Sequence, residues 1–151
     1  MAPIVKRSAR AILIDDKDRL VLIKRTRPGQ PVYWTTPGGG IEPDDPSPEE
    51  ALRRELHEEL GATAGPCQQV FLFSSPKDDG VAVQHVFVAR LIELDLARRD
   101  GPEFDDPSRG GYDIDFIELC DEAVAATDLK PEGLKEFILA NRDALLDAAS
   151  A

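Results

Sequence analysis

Three glutamates crowd one short stretch of this 151-residue sequence. Glu55, Glu58 and Glu59 stand at positions i, i+3 and i+4, which share one face of an α-helix. Like charges at this spacing destabilise a helix unless a cation lies among them. Clustered oxygen ligands select Mg²⁺, Mn²⁺ or Ca²⁺ rather than zinc, and one carboxylate can remain to deprotonate a water molecule. The spacing therefore predicts a divalent metal site, and polyphosphates are the typical substrates that share the coordination shell of Mg²⁺.

The helix that carries these glutamates has clear start and stop signals. Ser47 is an N-cap, Pro48 takes the first helical position, and Glu50 completes a capping box. Gly61 supplies the C-terminal stop. The apolar stripe predicted to pack against a sheet consists of Leu52, Leu56 and Leu60. The carboxylates lie about a quarter-turn from that stripe, at the edge of the packed face, where a cleft can form.

Apolar, β-prone runs on both sides of the helix predict strands. Residues 8–15 and 20–25 predict one hairpin, and residues 70–74 and 81–93 predict another around a turn at 76–80. The remaining expectations are an extended piece at 32–36, a glycine turn at 37–40, a surface loop at 96–111, a strand at 113–119, and helices at 122–127 and 131–148. This order predicts a single domain over residues 1–151 of the α/β (α+β) class, with a mixed sheet sandwiched between helices.

A longer pattern surrounds the glutamates. Residues 54–61 read Arg-Glu-Leu-His-Glu-Glu-Leu-Gly. In sequence and spacing they resemble the second half of the box that marks the Nudix hydrolase family, G-x(5)-E-x(7)-R-E-U-x-E-E-x-G-U, where U is a bulky aliphatic residue. Residues 33–39 resemble the W-x-x-P-G-G approach to it. The resemblance is to MutT-like Nudix hydrolases, and it implies an α/β/α sandwich around a central mixed β-sheet.

Residue by residue, the resemblance implies a metal site and a catalytic group. Glu58 and Glu59 would bind Mg²⁺, with Mn²⁺ as the alternative, and the carbonyl of Gly38 would add a ligand. Glu55 would be a further ligand or the base that activates water, and Arg54 would hold a helix carboxylate in position. The candidates for one more ligand from a later loop are Glu103 first and then Asp105 or Asp106.

Two positions depart from the box. The sixth residue after Gly39 is Asp45 rather than Glu, and eight residues instead of seven separate it from Arg54. The loop therefore carries a one-residue insertion and lacks the first Glu. Ala62 stands where a larger aliphatic residue is usual. We expect activity to survive, because in the family the first Glu matters less to metal binding than the helix pair.

The implied reaction is Mg²⁺-dependent hydrolysis of a nucleoside diphosphate linked to another moiety, with release of a nucleoside monophosphate or a phosphorylated fragment. Arg25 and Lys24 would contact substrate phosphates, although a solvated strand edge explains them nearly as well. Trp34 is either a stacking platform for the substrate or a packing residue. The alternatives are a catalytically silent nucleotide-binding module and a structural domain whose acidic helix binds Ca²⁺.

Composition argues against other classes of function. The net charge of −11 disfavours a partner that is a nucleic-acid polymer or an anionic membrane, although residues 1–30 carry eight Lys/Arg against three Asp. Apolar runs are too short for a signal sequence or a membrane span. Cys67 and Cys120 lack any disulfide or zinc spacing, which favours a cytoplasmic protein. The sequence leaves the oligomeric state open, and a homodimer is common in the resembled family.

Overall fold

The computed structural model of the protein describes residues 3–99 and 107–150. Its strands are β1 (Ile4–Ile14), β2 (Arg19–Thr26), β3 (Tyr33–Thr35), β4 (Gly38–Gly40), β5 (Ala62–Ala64), β6 (Gln68–Lys77), β7 (Gly80–Leu94), β8 (Gly111–Glu118) and β9 (Leu129–Lys130). Its helices are α1 (Pro48–Leu60), α2 (Asp121–Ala125), α3 (Leu134–Ala140) and α4 (Arg142–Ala149), with short 3₁₀ turns at Leu96–Arg98 and Pro107–Arg109. None of the helices in the described ranges is long and apolar enough to cross a membrane.

The central sheet is mixed, and it opens between β1 and β2. Strand β1 runs parallel to β7 and antiparallel to β2, with which it pairs at Leu13 and Ile14. Nearer its start, β1 pairs with β4 instead, while β2 pairs with β3 and β8. The two central strands therefore separate toward the glycines of β4. This separation creates the space in which the functional residues lie.

Helices cover both faces of the sheet. The apolar stripe of α1 packs on one face against residues such as Ala11, Leu13 and Ile23, all of them fully buried. Helices α2, α3 and α4 cover the other face around Ile12, Ile14 and Leu22. The predicted α+β sandwich with a central mixed sheet is thus confirmed.

Helix α1 begins and ends where its sequence predicts. The hydroxyl of Ser47 accepts a hydrogen bond from the backbone N–H of Glu50 at 3.1 Å. Gly61 ends the helix with φ of 61°, in the left-handed region that favours glycine. The three leucines of the apolar stripe are fully buried, which stabilises the fold by roughly 1.5–3 kcal/mol for each side chain. The caps and the buried leucines therefore fix the position of the helix that carries the carboxylates.

Several predicted boundaries were wrong. The glycine turn at 37–40 contains strand β4, because Gly38 pairs directly with Arg10 of β1. A side chain at Gly38 would lie 2.8 Å from the Cα atom of Arg10, and its φ of +141° also favours glycine. The second hairpin is longer than predicted, at Gln68–Lys77 and Gly80–Leu94. The helix expected at 131–148 starts later and is interrupted at Asn141. There the side-chain amide of Asn141 donates a hydrogen bond to the backbone carbonyl of Phe137.

Candidate active site

A polar cleft of about 290 Å³ lies where β1 and β2 separate, beside helix α1. One wall consists of the glycine strand β4 together with the carboxylates of Glu55 and Glu59. The other residues that line the cleft are Arg10, Arg25, Thr35, Arg109 and Tyr112. Acidic and basic side chains therefore face each other across one small space.

The two glutamates that line the cleft are held differently. Glu59 is 8% exposed, and its Oε1 atom accepts a hydrogen bond from the backbone N–H of Gly38 at 2.9 Å. Burial of a carboxylate is costly unless such bonds compensate it. The carboxylate of Glu55 lies directly against Gly39, where a β-carbon would be 2.5 Å from the carboxyl carbon. The missing side chain at Gly39 therefore makes room for the Glu55 carboxylate, whereas the one at Gly38 makes room for the backbone of β1.

Arg54 connects the carboxylates outside this wall. Its Nη1 atom donates to Glu55 Oε1 at 3.0 Å and to Glu58 Oε2 at 3.2 Å. Its Nε and Nη2 atoms donate to the two oxygens of Asp45 at 3.0 and 2.8 Å. These bonds lower the pKa of Asp45 and raise the pKa of Arg54 further above its ordinary value. Asp45 therefore fixes the guanidinium that orients two of the three glutamates.

The loop insertion is accommodated by a closed turn. The backbone N–H of Glu42 donates to Asp45 Oδ2 at 2.7 Å, and the backbone N–H of Asp45 donates to the carbonyl of Glu42 at 3.0 Å. Pro43 and Asp44 between them are exposed, and the Asp45 carboxylate reaches Arg54. Sequence counting alone did not show this role for Asp45.

The chemistry of the donor set fits a hard divalent cation. Within residues 3–99 and 107–150, no three His, Cys, Asp or Glu side chains converge closely enough to hold a metal ion. The reason is local, because Arg54 draws Glu55 and Glu58 together while Gly38 holds Glu59. The side chain of Glu58 is 30% exposed, so solvent reaches its carboxylate. The three carboxylates are ligands of the type that Mg²⁺ prefers.

Two other expected ligands have different surroundings. The carbonyl of Gly38 accepts a hydrogen bond from Arg10 Nη1 at 3.0 Å, so a guanidinium already contacts this oxygen. Glu103, Asp105 and Asp106 lie outside the described residues. Their assignment as late ligands stays a prediction.

The predicted substrate-binding residues are divided between the two faces of the sheet. Arg25 faces the α1 side, and it stacks on the ring of Tyr112 at 3.7 Å and donates to the carbonyls of Gly111 and Arg109. Lys24 precedes Arg25 on β2 and lies opposite Trp34 of β3. Because successive side chains of a strand alternate between faces, the side chains of Lys24 and Trp34 point to the opposite face from Arg25. There the indole N–H of Trp34 donates to Asp115 at 2.9 Å. The structure therefore brings only Arg25 of these three to the glutamates.

Arg99 is a further residue of this region that sequence reasoning did not identify. Its Nε atom donates to the backbone carbonyl of Glu59 at 2.7 Å, and its Nη2 atom donates to that of Tyr112 at 2.8 Å. A cation at the C-terminus of α1 also interacts favourably with the helix dipole. No sequence motif marks this contact, because it joins residues 40 positions apart.

Comparison with known proteins agrees with this geometry. A family model of the NUDIX domain matches residues 5–126. The chain belongs to the NUDIX family. It is therefore a hydrolase that acts on pyrophosphate bonds, in a family that generally uses divalent metals and nucleotide-derived substrates. No curated protein matches the sequence of this NUDIX domain.

Solved structures share the fold. A NUDIX hydrolase from Nitrosomonas europaea matches with a TM-score of 0.69 and 17% identity, covering 92% of this chain and 88% of that chain. The MutT protein from Methanosarcina mazei Go1 matches with a TM-score of 0.62 and 19% identity, covering 94% and 93%. A bifunctional NMN adenylyltransferase/ADP ribose pyrophosphatase from Francisella tularensis matches with a TM-score of 0.62 and 18% identity, covering 96% of this chain and 42% of that chain. At these identities, the likeness concerns the fold.

Proposed function

We propose that this NUDIX domain is a Mg²⁺-dependent pyrophosphohydrolase that cleaves a nucleoside diphosphate linked to another moiety. The observation that carries this proposal is the cleft in which Glu55 and Glu59 face guanidinium groups. Carboxylates can bind a metal and activate water, whereas guanidinium groups bind phosphate oxygens. A pyrophosphate group between them would therefore be bound by the guanidinium groups and would lie next to the carboxylates that bind the metal and activate water.

Each residue has a role that follows from its contacts. Glu58 and Glu59 would hold Mg²⁺, which when bound neutralises charge on the pyrophosphate oxygens. Glu55 borders the cleft, so we assign to it the uptake of a proton from the attacking water. Arg54 keeps Glu55 and Glu58 oriented, and Arg25 binds a substrate phosphate from the opposite wall.

The space around the cleft supports a substrate with a group at each end. At about 290 Å³ the cleft is at the lower limit of ordinary ligand pockets, so it accommodates little beyond the phosphates. A groove of about 430 Å³ borders it at Gly40, and Tyr33, on the same strand as Thr35, lines a hollow of about 460 Å³. These two spaces could receive the nucleoside and the linked moiety. The Francisella neighbour, named as an ADP ribose pyrophosphatase, makes ADP-ribose a suitable first substrate.

A substrate panel with and without Mg²⁺ tests the proposal. It includes ADP-ribose, sugar nucleotides, dinucleoside polyphosphates and nucleoside triphosphates, with release of nucleoside monophosphate or phosphorylated fragments as the readout. Glu58→Gln and Glu59→Gln should lower kcat at least a hundredfold, whereas Glu50→Gln, an exposed position on the same helix, should leave it unchanged. Retained turnover in both site variants would refute the mechanism. Nucleotide binding without turnover in the wild type would instead identify a silent binding module.

We further propose that residues 1–151 act as a single cytoplasmic domain, consistent with two free cysteines. Cell fractionation tests the location, and recovery of the protein in a secreted fraction would contradict it. Light scattering separates a 16.6 kDa monomer from a homodimer.

A further inference from the structure

Arg10 is a charged residue inside a buried stretch of β1. From Ser8 to Asp15, every residue except Arg10 is buried, and its neighbours Ala9 and Ala11 are fully so. A guanidinium at such a position is costly unless its N–H groups find partners. Arg10 lines the cleft that contains Glu55 and Glu59.

The partners of Arg10 leave most of its donors for a ligand. Its Nη1 atom donates to the backbone carbonyls of Thr36 at 3.2 Å and Gly38 at 3.0 Å. Within the described part of the chain, Arg10 forms no ion pair with a carboxylate, and its Nε and Nη2 atoms form no hydrogen bond. By contrast, Arg53 and Arg54 are paired with acidic side chains. Arg10 is therefore a cation without an anionic partner in a protein of net charge −11.

Arg10 also contacts the wall of the cleft that carries the glutamates. Gly38 accepts from Arg10 through its carbonyl and donates to Glu59 through its N–H. An anion bound by Arg10 would therefore lie beside the residue that holds a buried carboxylate. Arg25 lines the same small cleft, so two guanidinium groups can reach one doubly charged ligand.

We propose that Arg10 binds non-bridging oxygens of the substrate's pyrophosphate through its Nε and Nη2 atoms. This inference rests on the proposed function and adds to it a phosphate-binding residue on β1. Arg10 and Arg25 together select a ligand with two adjacent phosphates, because a single phosphate leaves one guanidinium without a partner. Inorganic phosphate and nucleoside monophosphates are therefore expected to bind weakly.

The test measures binding separately from turnover. Methylenebisphosphonate, a pyrophosphate analogue that is not hydrolysed, is titrated in Mg²⁺ buffer by calorimetry into wild type, Arg10→Gln, Arg10→Lys and Lys17→Gln. Lys17 lies in the exposed turn between β1 and β2, so its variant controls for the loss of one positive charge. We expect Arg10→Gln to weaken binding about tenfold or more, Arg10→Lys to weaken it less, and Lys17→Gln to leave it unchanged. Thermal unfolding checks that each variant is folded. If Arg10→Gln does not fold, the comparison of Arg10→Lys with the wild type provides the test.

Kinetics on the substrate found in the panel separate a binding role from a structural one. Arg10→Gln should raise KM more than it lowers kcat if Arg10 binds phosphate. Unchanged affinity for the analogue in both Arg10 variants, or a wild type that does not bind the analogue, would overturn the inference. Lower kcat with unchanged KM and affinity would show that Arg10 only holds Gly38. Arg10-dependent binding in a protein that hydrolyses no panel member would leave this inference standing and reject the proposed hydrolase.

Discussion

Gly39→Ala is predicted to damage the chemistry of the cleft while leaving the fold intact. An added β-carbon would lie 2.5 Å from the carboxyl carbon of Glu55 and 2.8 Å from its Oε1 atom. Ordinary van der Waals contact begins at 3.4 Å, so the carboxylate must retreat by about 0.9 Å. Misplacement of a catalytic group by about 1 Å can lower the rate roughly a hundredfold. Because the obstructing group is the end of a flexible side chain, the free energy of unfolding should fall by about 1 kcal/mol or less.

Gly38→Ala is the matched comparison, one residue earlier in the same strand. Here the added β-carbon would lie 2.8 Å from the Cα atom of Arg10, and the φ of +141° is unfavourable for alanine. Backbone cannot retreat as a side chain can, so strain alone should cost about 1–3 kcal/mol. We therefore expect Gly38→Ala to be the less stable variant and Gly39→Ala the stable but slow one.

The assay combines two measurements on both variants. Initial rates on the identified substrate with Mg²⁺ give kcat and KM, and urea denaturation gives the free energy of unfolding. A Gly39→Ala protein with the wild-type rate would show that the placement of Glu55 does not matter to the reaction. A Gly39→Ala protein as destabilised as Gly38→Ala would show that the contact with Glu55 is not the dominant effect.

Three further predictions concern other residues. Asp45→Asn should lower activity about 10- to 100-fold and raise the Mg²⁺ concentration that gives half-maximal rate, because Arg54 loses its bidentate partner. An unchanged Mg²⁺ titration would argue against a positioning role of Asp45. Burial lowers the pKa of His85 below its ordinary value of 6.5. As the pH falls through 6.5, the unfolded chain therefore binds a proton at His85 before the folded protein does, and the folded protein loses stability. His85→Gln should flatten that part of the Tm–pH curve, and an identical curve would count against it. Burial raises the pKa of the Cys67 thiol, so iodoacetamide should modify the exposed Cys120 first. Mass spectrometry of digested peptides gives the order of modification, and faster modification of Cys67 would contradict the prediction.

Helix α1 was largely predictable from the sequence. Its cap at Ser47, its stop at Gly61 and its buried leucine stripe follow from local spacing over a few residues. Such signals depend on the geometry of one helix and hardly at all on the rest of the chain. The position of Glu55, Glu58 and Glu59 on this helix therefore followed from the sequence, whereas their role as metal ligands stays a prediction.

The opposite wall of the cleft was less predictable, because it depends on strand register. Lys24, Arg25 and Trp34 looked equivalent along the chain, but alternation in a strand sends neighbouring side chains to opposite faces. A one-residue shift in register would have exchanged them. A charge within the apolar run of β1 was the available signal for Arg10, and only the pairing with β4 shows what it contacts.

The sequence by itself determined the acidic helix and the family pattern, and it predicted a cation among the glutamates. The tertiary structure decided which groups surround them. It placed Asp45 on Arg54 across a closed turn, brought Arg10 and Arg25 to one cleft, and turned Trp34 away from it. The physical reason is that helix periodicity and capping act over a few residues, whereas contacts between loops and strands depend on how the whole sheet closes and splays.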